Sequence, residues 1–350
     1  MIKKEKMSTL KTKKEKPVIG IIANSISPAN RWDLITELGE PDPDKGFFKP
    51  LKFSFKDVRG EIIALDIQPN EVLDKTGMIK AKHFMFNALE YLVAQGVKVV
   101  CFTASTKRLP GRFGQDVKKL YPNIIFSIGD TATMISYLTT IDYFAKDFRP
   151  EIDQVACLGA GFLGTISVKY LTDRGFKNVN LVTEQKLDGL GEHVKTFQAL
   201  EDLPEKNVLF LSCSHKYDID PKILQKKLAP GAVILDVAVP PGIKFKVFQS
   251  LNSGTKRFDT GDFFLEEIQY DFPSKILNFP AVGFWFGCFT EAVLLGLAIE
   301  SGEDFSTRNF FEVTEDNLKL LRSLLVKEEL SIPLINFYEP QNMKFFEFSG

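Results

Sequence analysis

Hydrophobic and polar residues follow two patterns along this chain, and the two patterns alternate. Runs rich in apolar residues predict strands at 17–25, 97–105, 123–128, 154–158, 178–184, 207–215 and 231–243, and the continuous apolar run at 97–105 is typical of a strand buried on both faces of a parallel sheet. Between them, apolar residues recur at a spacing of three and four, most clearly over 80–95, and this spacing predicts helices. Strands that alternate with helices predict an α/β fold.

The same pattern divides the chain into four parts. Residues 1–16 are basic and carry no apolar run, so we predict a disordered tail. Residues 17–147 are predicted to form an N-terminal α/β domain with a catalytic or substrate-binding role, and residues 148–275 a Rossmann dinucleotide-binding domain. Residues 276–350 are predicted to be a C-terminal segment whose helices pack back on the domains.

Local signals set some of the element boundaries. Gly96 predicts a left-handed end to the helix over 80–95. Residues 55–69 alternate around Arg59-Gly60, which predicts a hairpin turn at that dipeptide. Thr314 precedes an amphipathic helical pattern and is its predicted N-cap.

A glycine motif lies between the apolar run 154–158 and the helical pattern after it. It reads Gly159-Ala160-Gly161-Phe162-Leu163-Gly164, and another strand follows about 20 residues on. In this context the glycines allow a tight turn, close approach of the backbone to a pyrophosphate, and close packing of helix on strand. The motif therefore predicts NADPH or NADH bound by Gly159, Gly161, Phe162, Leu163 and Gly164.

Residues at the ends of the next two strands extend this predicted site. Glu184 stands where a carboxylate binds the ribose 2′-hydroxyl and favours NAD, whereas the nearby Lys186 suits the 2′-phosphate of NADP. Because Glu184 and Lys186 favour different cofactors, the sequence does not decide between NAD and NADP. Ser212, Ser214 and His215 end the following strand, where a wall beside the nicotinamide ribose is expected.

The stretch 279–301 is nearly all apolar and long enough to suggest a membrane span. Glu291 near its middle and three glycines argue against a span, because an ionised side chain is costly in lipid. Cys288 and Glu291 are three residues apart and share one face of a helix. The alternative is a core helix with an inert buried thiol. The helix begins either at Pro280 or after Gly287, and only the second start places the thiol where a helix terminus lowers its pKa.

Composition narrows the possible functions. The formal net charge of the 350 residues is −1, which gives no electrostatic case for binding nucleic acid. The four cysteines are far apart and no Cys/His cluster occurs, so neither a metal site nor a disulfide framework is predicted. The basic N-terminus lacks the apolar segment of a signal peptide, and we expect a cytoplasmic protein without a transmembrane segment.

Taken in order, these features resemble a known family. The late helix contains Phe286-Gly287-Cys288-Phe289-Thr290-Glu291-Ala292-Val293-Leu294-Leu295, followed downstream by Phe305-Ser306-Thr307-Arg308-Asn309, and an earlier loop reads Gly129-Asp130-Thr131-Ala132-Thr133. With the central glycine motif, they resemble the long-chain acyl–acyl-carrier-protein reductases, aldehyde-forming enzymes that feed bacterial alkane synthesis. The resemblance spans about residues 18–325.

The resemblance implies that Cys288 accepts an acyl group from a thioester and that a nicotinamide hydride then releases an aldehyde. It implies an acyl-carrier-protein or CoA thioester as substrate and an aldehyde-consuming enzyme as a possible partner. The chain departs from the family pattern at Asp130, where the family has Asn, and at Glu184, close to where it has Arg. Lys107 lies where the family has a small loop. Its functional interpretations are lowering the pKa of Cys288 or binding a phosphopantetheine phosphate, and the alternative, which the sequence favours, is a surface lysine.

The sequence thus predicts an NAD(P)H-dependent reductase of fatty acyl thioesters, with a catalytic set of Cys288, Glu291, Thr131, His215 and Lys107. One alternative is an NAD(P)-dependent dehydrogenase of a small amino or hydroxy acid, in which Cys288 is structural. Another is a cofactor-bound sensor or partner protein without enzymatic activity.

Overall fold

A computed structural model describes residues 16–214, 216–252 and 254–347, so most of the predicted basic tail lies outside the described residues. The described chain forms two compact units. Unit 1 comprises residues 16–133, Asp262–Ser331 and Glu347, and unit 2 comprises the described residues of Met134–Gly261 together with Ile332–Phe346. Each unit is therefore built from more than one segment of the chain.

The strands of the described chain are β1 (Ile19–Asn24), β2 (Leu51–Phe55), β3 (Val58–Leu65), β4 (Val99–Phe102), β5 (Ile125–Ser127), β6 (Gln154–Leu158), β7 (Asn178–Val182), β8 (Val194–Phe197), β9 (Asn207–Ser212), β10 (Leu228–Asp236), β11 (Lys256–Asp259), β12 (Asp262–Phe264), β13 (Gln269–Tyr270), β14 (Phe284–Phe286), β15 (Ser331–Leu334) and β16 (Lys344–Glu347). The helices are α1 (Pro28–Leu38), α2 (Lys75–Gln95), α3 (Gln115–Lys118), α4 (Asp130–Ala145), α5 (Phe162–Asp173), α6 (Pro221–Lys227), α7 (Phe245–Gln249), α8 (Gly287–Glu300) and α9 (Glu315–Lys327). The predicted α/β fold is confirmed.

Unit 1 is built on a sheet of strand order β13-β2-β3-β1-β4-β5. β1 pairs in parallel with β3 and β4, and β4 with β5, whereas β2 and β13 are antiparallel. Helices α2 and α8 cover opposite faces of β1, because the neighbouring residues Gly20 and Ile19 contact Leu92 and Gly296, respectively. The carboxyl ends of β1, β4 and β5 consequently lie along one edge of the sheet.

Unit 2 contains a parallel sheet of strand order β11-β10-β9-β6-β7-β8. The first strand in sequence, β6, lies in the middle, and the strand order reverses between β6 and β9. This is the order of a Rossmann sheet, in which ligands bind outside the carboxyl ends of the strands at the reversal.

Capping residues explain several helix ends. The Asp74 side chain accepts a hydrogen bond from the backbone N–H of Gly77, so α2 begins five residues before the predicted start at residue 80. Gly96, at φ +91°, ends that helix in the left-handed conformation, as predicted. Thr314 accepts from the backbone N–H of Asn317 at 3.2 Å, and its predicted role as an N-cap is confirmed.

The hairpin between β2 and β3 is confirmed, but its predicted turn position is wrong. Phe55 pairs with Val58, so the turn lies at Lys56-Asp57 instead of Arg59-Gly60. Gly60 lies inside β3 because the ring of Phe53 occupies the space of a side chain there: a Cβ on Gly60 would be 2.1 Å from that ring.

The predicted C-terminal segment 276–350 is distributed over both units. Helix α8 belongs to unit 1, where its apolar length packs on β1, β3 and β4, and β14 pairs antiparallel with β12. Within the described residues, no helix is long and apolar enough to cross a membrane.

Candidate active site and dinucleotide-binding site

Cys288 lies at the N-terminus of a helix in unit 1. Strand β14 ends at Phe286, which has extended backbone angles and is the N-cap, and α8 begins at Gly287. Of the two helix starts that the sequence left open, the structure has the one after the glycine-rich segment. The thiol is thus in the first turn, where the partial positive charge of the helix terminus favours a thiolate.

The turn between β5 and α4 packs directly against this thiol. Gly129 has φ +72°, and a Cβ placed on it would lie 2.3 Å from both the Cα and the Cβ of Cys288. On the neighbouring strand, the Cys101 thiol donates to the carbonyl oxygen of Cys288 at 3.3 Å. Because only glycine fits at position 129, the backbone around the thiol is fixed by packing.

Glu291 is fully buried one helical turn after Cys288. The Ser127 hydroxyl donates to its Oε1, and the backbone N–H of Ala132 donates to its Oε2 at 2.9 Å. Burial raises the pKa of Glu291 to about 7, although both hydrogen bonds lower it. This carboxyl group therefore caps the start of α4 and joins that helix to α8.

Lys107 forms an ion pair with Asp130, the first residue of α4. Burial alone would lower the pKa of Lys107. The charge and hydrogen bond of Asp130, together with the nearby Cys288 and Cys101, outweigh burial, and the pKa is raised. Lys107 is consequently a cation at neutral pH, and its charge also acts on Cys288.

The partly exposed Cys288 thiol is protonated at neutral pH in this arrangement. Burial raises its pKa to about 12. Lys107 lowers the pKa, whereas the charges of Asp130, Asp262 and Glu291 raise it. A nucleophilic role would need a substrate or a conformational change that offsets both the burial of the thiol and the negative charges around it.

The structure brings together four of the five residues predicted to be catalytic. Cys288, Glu291 and Lys107 interact as described, and Thr131 is buried in the first turn of α4. The fifth, His215, lies outside the described residues. Sequence reasoning missed the roles of Ser127 and Asp130; the available signal was their position at the end of a buried strand and in the turn that follows it.

Aromatic side chains surround the start of α8. The rings of Trp285, Phe279, Phe286 and Phe289 pack against one another at centroid distances of 5.1–6.4 Å, and Trp285 is completely buried. In this part of unit 1, the phenylalanines of the sequence fill the core next to the thiol.

The glycine motif forms the turn from β6 into α5 in unit 2, as predicted. Gly159 has φ +99°, and a Cβ on Gly164 would lie 1.9 Å from the carbonyl oxygen of Gly159. By contrast, a Cβ on Gly161 would have no atom within 4 Å. The first glycine thus makes the turn, the third lets helix and turn pack closely, and the second leaves open space where a pyrophosphate can approach the backbone.

Ser212 and Ser214 lie beside this turn at the end of β9. A Cβ on Gly159 would be 2.6 Å from the Cβ of Ser214. Ser212 is fully buried, and its hydroxyl has no hydrogen-bond partner in the described structure. A buried hydroxyl without a partner at this position fits a site that a polar ligand completes.

The two residues that were to distinguish NAD from NADP lie beyond β7. That strand ends at Val182, so Glu184 follows the strand instead of ending it, and both Glu184 and Lys186 are exposed. Phe162 and Leu163 form the first turn of α5, with Phe162 exposed. Among the described residues, no group of three or more His, Cys, Asp or Glu side chains is placed to hold a metal ion.

No protein-family model and no curated protein sequence matches the chain. Several solved structures are similar to it. Shikimate dehydrogenase 1 from Peptoclostridium difficile is 11% identical, with 89% of this chain and 99% of that chain covered, at a TM-score of 0.39. The NAD-dependent malic enzyme from Thermotoga maritima is 15% identical over 88% of this chain and 83% of that chain, at a TM-score of 0.36.

A third similar structure, CAD from Helicobacter pylori complexed with NADP(H), is 21% identical over 38% of each chain, at a TM-score of 0.30. This chain thus covers well under half of that protein's length. At these identities and TM-scores, the similarities assign neither a family nor an activity to the chain.

Proposed function

We propose that the chain is an NAD(P)H-dependent oxidoreductase. The observation that carries this proposal is the turn at Gly159, Gly161 and Gly164, which lies at the strand-order reversal of a parallel sheet and leaves open space above its second glycine. The backbone N–H groups at the start of α5 would hold the pyrophosphate. Ser212 and Ser214 would hydrogen-bond the nicotinamide half. A bound nicotinamide would supply a hydride.

We further propose a fatty acyl thioester as substrate, which the resemblance at 286–295 implies. The Cys288 sulfur attacks the thioester carbonyl carbon; its C–S bond forms as the C–S bond to the carrier breaks, and the carrier leaves as a thiol with the proton that Cys288 lost. Addition of a hydride and a proton to the acyl-enzyme then gives an aldehyde and restores the Cys288 thiol. Two easier steps replace one hard step.

Two features of unit 1 support Cys288 as the nucleophile. It lies in the first turn of α8, and the cation Lys107 lowers its pKa. Burial, together with the charge of Asp130, keeps the resting thiol protonated, so we expect acyl transfer to be faster as the pH rises.

Intact-mass measurement after incubation with an acyl-CoA tests the covalent step. We expect the wild type to gain one acyl group, Cys288→Ala to gain none, and Cys101→Ala to acylate as the wild type does. Cys101 is a matched control because it is a buried thiol in the same cluster. Equal acylation of wild type and Cys288→Ala, or acylation of neither, would exclude the covalent mechanism.

A second candidate is a dehydrogenase of a small amino or hydroxy acid. The Lys107–Asp130 ion pair favours it, because a partly buried cation held by a carboxylate among hydroxyl groups suits a small polar substrate. The raised pKa of Cys288 agrees with a structural thiol. Full turnover by Cys288→Ala on such a substrate, with loss of turnover in Lys107→Met, would decide for this candidate.

A further inference from the structure

A buried charge cluster in unit 2 has no role in the chemistry proposed above. The guanidinium of Arg257, on β11, is fully buried and donates to Asp236 at 3.0 Å and to Asp259 at 2.6 and 2.7 Å. It also donates to the side-chain oxygen of Asn336 at 3.0 Å, and the ring of Tyr338 lies 4.5 Å from its central carbon. The cluster therefore joins the ends of β10 and β11 to the late segment 335–338.

The same cluster fixes the turn that follows β10. Asp236 accepts hydrogen bonds from the backbone N–H groups of Gly242 at 3.2 Å and Ile243 at 2.8 Å. The Tyr338 hydroxyl donates to the carbonyl oxygen of Ile243 at 2.8 Å. The end of the turn 237–243 is thus held both by the Asp236 carboxylate and by the hydroxyl of Tyr338, which lies 95 positions later in the chain.

The turn 237–243 packs against the end of β9. A Cβ on Gly242 would lie 2.3 Å from the Ser212 hydroxyl and 2.6 Å from the carbonyl oxygen of Ser214. Ser214 is itself packed against Gly159. Close packing therefore runs without interruption from the late segment 335–338 to the glycine turn, and interiors packed this closely transmit small shifts.

We propose that Tyr338, Arg257 and Asp236 are positioning residues of the dinucleotide site. They act through the turn 237–243, which sets the position of the Ser212 hydroxyl and of the Ser214 backbone. The late segment thereby sets the affinity for NAD(P)H without touching it. The inference rests on the proposed dinucleotide binding.

The test compares two hydroxyl deletions in the full chain. Tyr338→Phe removes the bond to Ile243 and keeps the ring over Arg257. Tyr170→Phe removes a bond to Asp142 and is the matched control, because Tyr170 is in α5 eight residues, about 12 Å, beyond its first residue. Amide hydrogen exchange is measured without ligand, and the dissociation constants of NADH and NADPH are measured by fluorescence titration.

We expect Tyr338→Phe to speed exchange in residues 237–243 and 212–214 and to raise the dissociation constant of the preferred dinucleotide about fivefold, the effect of one hydrogen bond. Tyr170→Phe should leave both readouts within about twofold at a similar loss of thermal stability. Unchanged exchange in the turn of Tyr338→Phe, or equal affinity losses in the two variants, would overturn the positioning role. If the wild type binds neither dinucleotide, the proposed function fails, and the exchange data still decide whether Tyr338 holds the turn.

Discussion

At the scale of single residues, the buried carboxyl group of Glu291 makes the stability of the protein depend on pH. Its pKa of about 7 in the folded protein exceeds the ordinary value of 4.5 because the side chain is buried. Between these two pH values the folded protein holds a proton that the unfolded chain has released. The free energy of unfolding therefore falls as the pH rises from 4.5 to 7, and the contribution levels off above pH 7.

We predict that Glu291→Gln flattens this part of the stability profile. The amide can still accept from Ala132 and donate to Ser127, but it has no proton to lose. The wild type should lose about 3 kcal/mol more than the variant between pH 4.5 and 7, as measured by urea unfolding at several pH values. Other buried acids, such as Glu61, whose pKa is also raised by burial, contribute equally to the pH dependence of both proteins. Their contribution therefore cancels in the difference between the wild type and the variant. Parallel profiles would contradict the prediction.

The thiol offers a second prediction at this scale. Removing the charge of Asp130 in Asp130→Asn should lower the pKa of Cys288, because a nearby anion that raises this pKa is lost. We expect alkylation by iodoacetamide at pH 8 to be about three- to tenfold faster, which corresponds to a shift of about half to one pKa unit. Lys107→Met should change the rate in the opposite direction. A slower reaction in Asp130→Asn would contradict the prediction. It would show that Asp130 mainly positions Lys107 to lower the pKa of Cys288, instead of raising that pKa by its own charge.

The residues that surround the Cys288 thiol and Glu291 could not be predicted from the sequence. The spacing of Cys288 and Glu291 is local, so their common helix could be predicted from periodicity. Ser127 and Asp130 lie about 160 residues earlier, and their proximity depends on how α8 packs on the sheet of unit 1. A sequence pattern encodes hydrogen bonds within a few residues, whereas tertiary packing brings distant residues together.

At the scale of elements, two glycines of the turn between β6 and α5 have different roles: Gly164 is needed for folding, and Gly161 is expected to be needed for binding. Gly161 has φ −67° and open space around its Cβ position, so Gly161→Ala should fold with an unchanged melting temperature. Its methyl group would occupy the space proposed for the pyrophosphate, and we predict at least about tenfold weaker dinucleotide binding.

Gly164→Ala is the contrasting variant. Its Cβ would meet the backbone oxygen of Gly159, which cannot move aside as a side chain can, so we expect a loss of about 2 kcal/mol or more in unfolding free energy. Thermal unfolding and fluorescence titration of both variants check the pair. If Gly161→Ala binds NADH and NADPH as the wild type does, the pyrophosphate lies elsewhere.

Elements with local signals were predicted well, and those governed by distant contacts were not. The glycine turn, the left-handed end of α2 and the Thr314 cap each depend on residues within one turn of the chain. The hairpin turn was misplaced because Gly60 looks like a turn residue, and only the ring of Phe53 across the strand pair explains it. Similarly, the division of the C-terminal segment between two units depends on strand pairing that periodicity cannot specify.

At the scale of the whole molecule, each unit takes a segment from the late part of the chain. Unit 2 depends on residues 335–337: the backbone N–H of Asp259 donates to the carbonyl oxygen of Ile335, and the Asp259 carboxylate accepts from the backbone N–H of Phe337, both at 2.7 Å. We predict that ending the chain after Ser331 leaves this buried carboxylate and Arg257 short of partners and lowers the stability of unit 2 by about 3 kcal/mol or more.

Hydrogen exchange of β10 and β11 checks that loss locally, since fast exchange should appear in these strands first. A chain ending after Leu334 tests whether β15 alone is enough to keep unit 2 stable. We expect it to resemble the shorter chain, because the hydrogen-bond partners of Asp259 and Arg257 begin at Ile335. Native exchange in β11 of either shortened chain would contradict the structural role of the late segment.

The late arrival of α8 also has a consequence for synthesis on the ribosome. Strands β1, β3 and β4 are complete by residue 102, whereas the helix that covers one of their faces begins at residue 287. At about 5–20 residues per second, the apolar face of these strands stays uncovered for about 10–40 s. Contacts of such long sequence separation slow folding, so we expect the nascent chain to depend on chaperones during that interval.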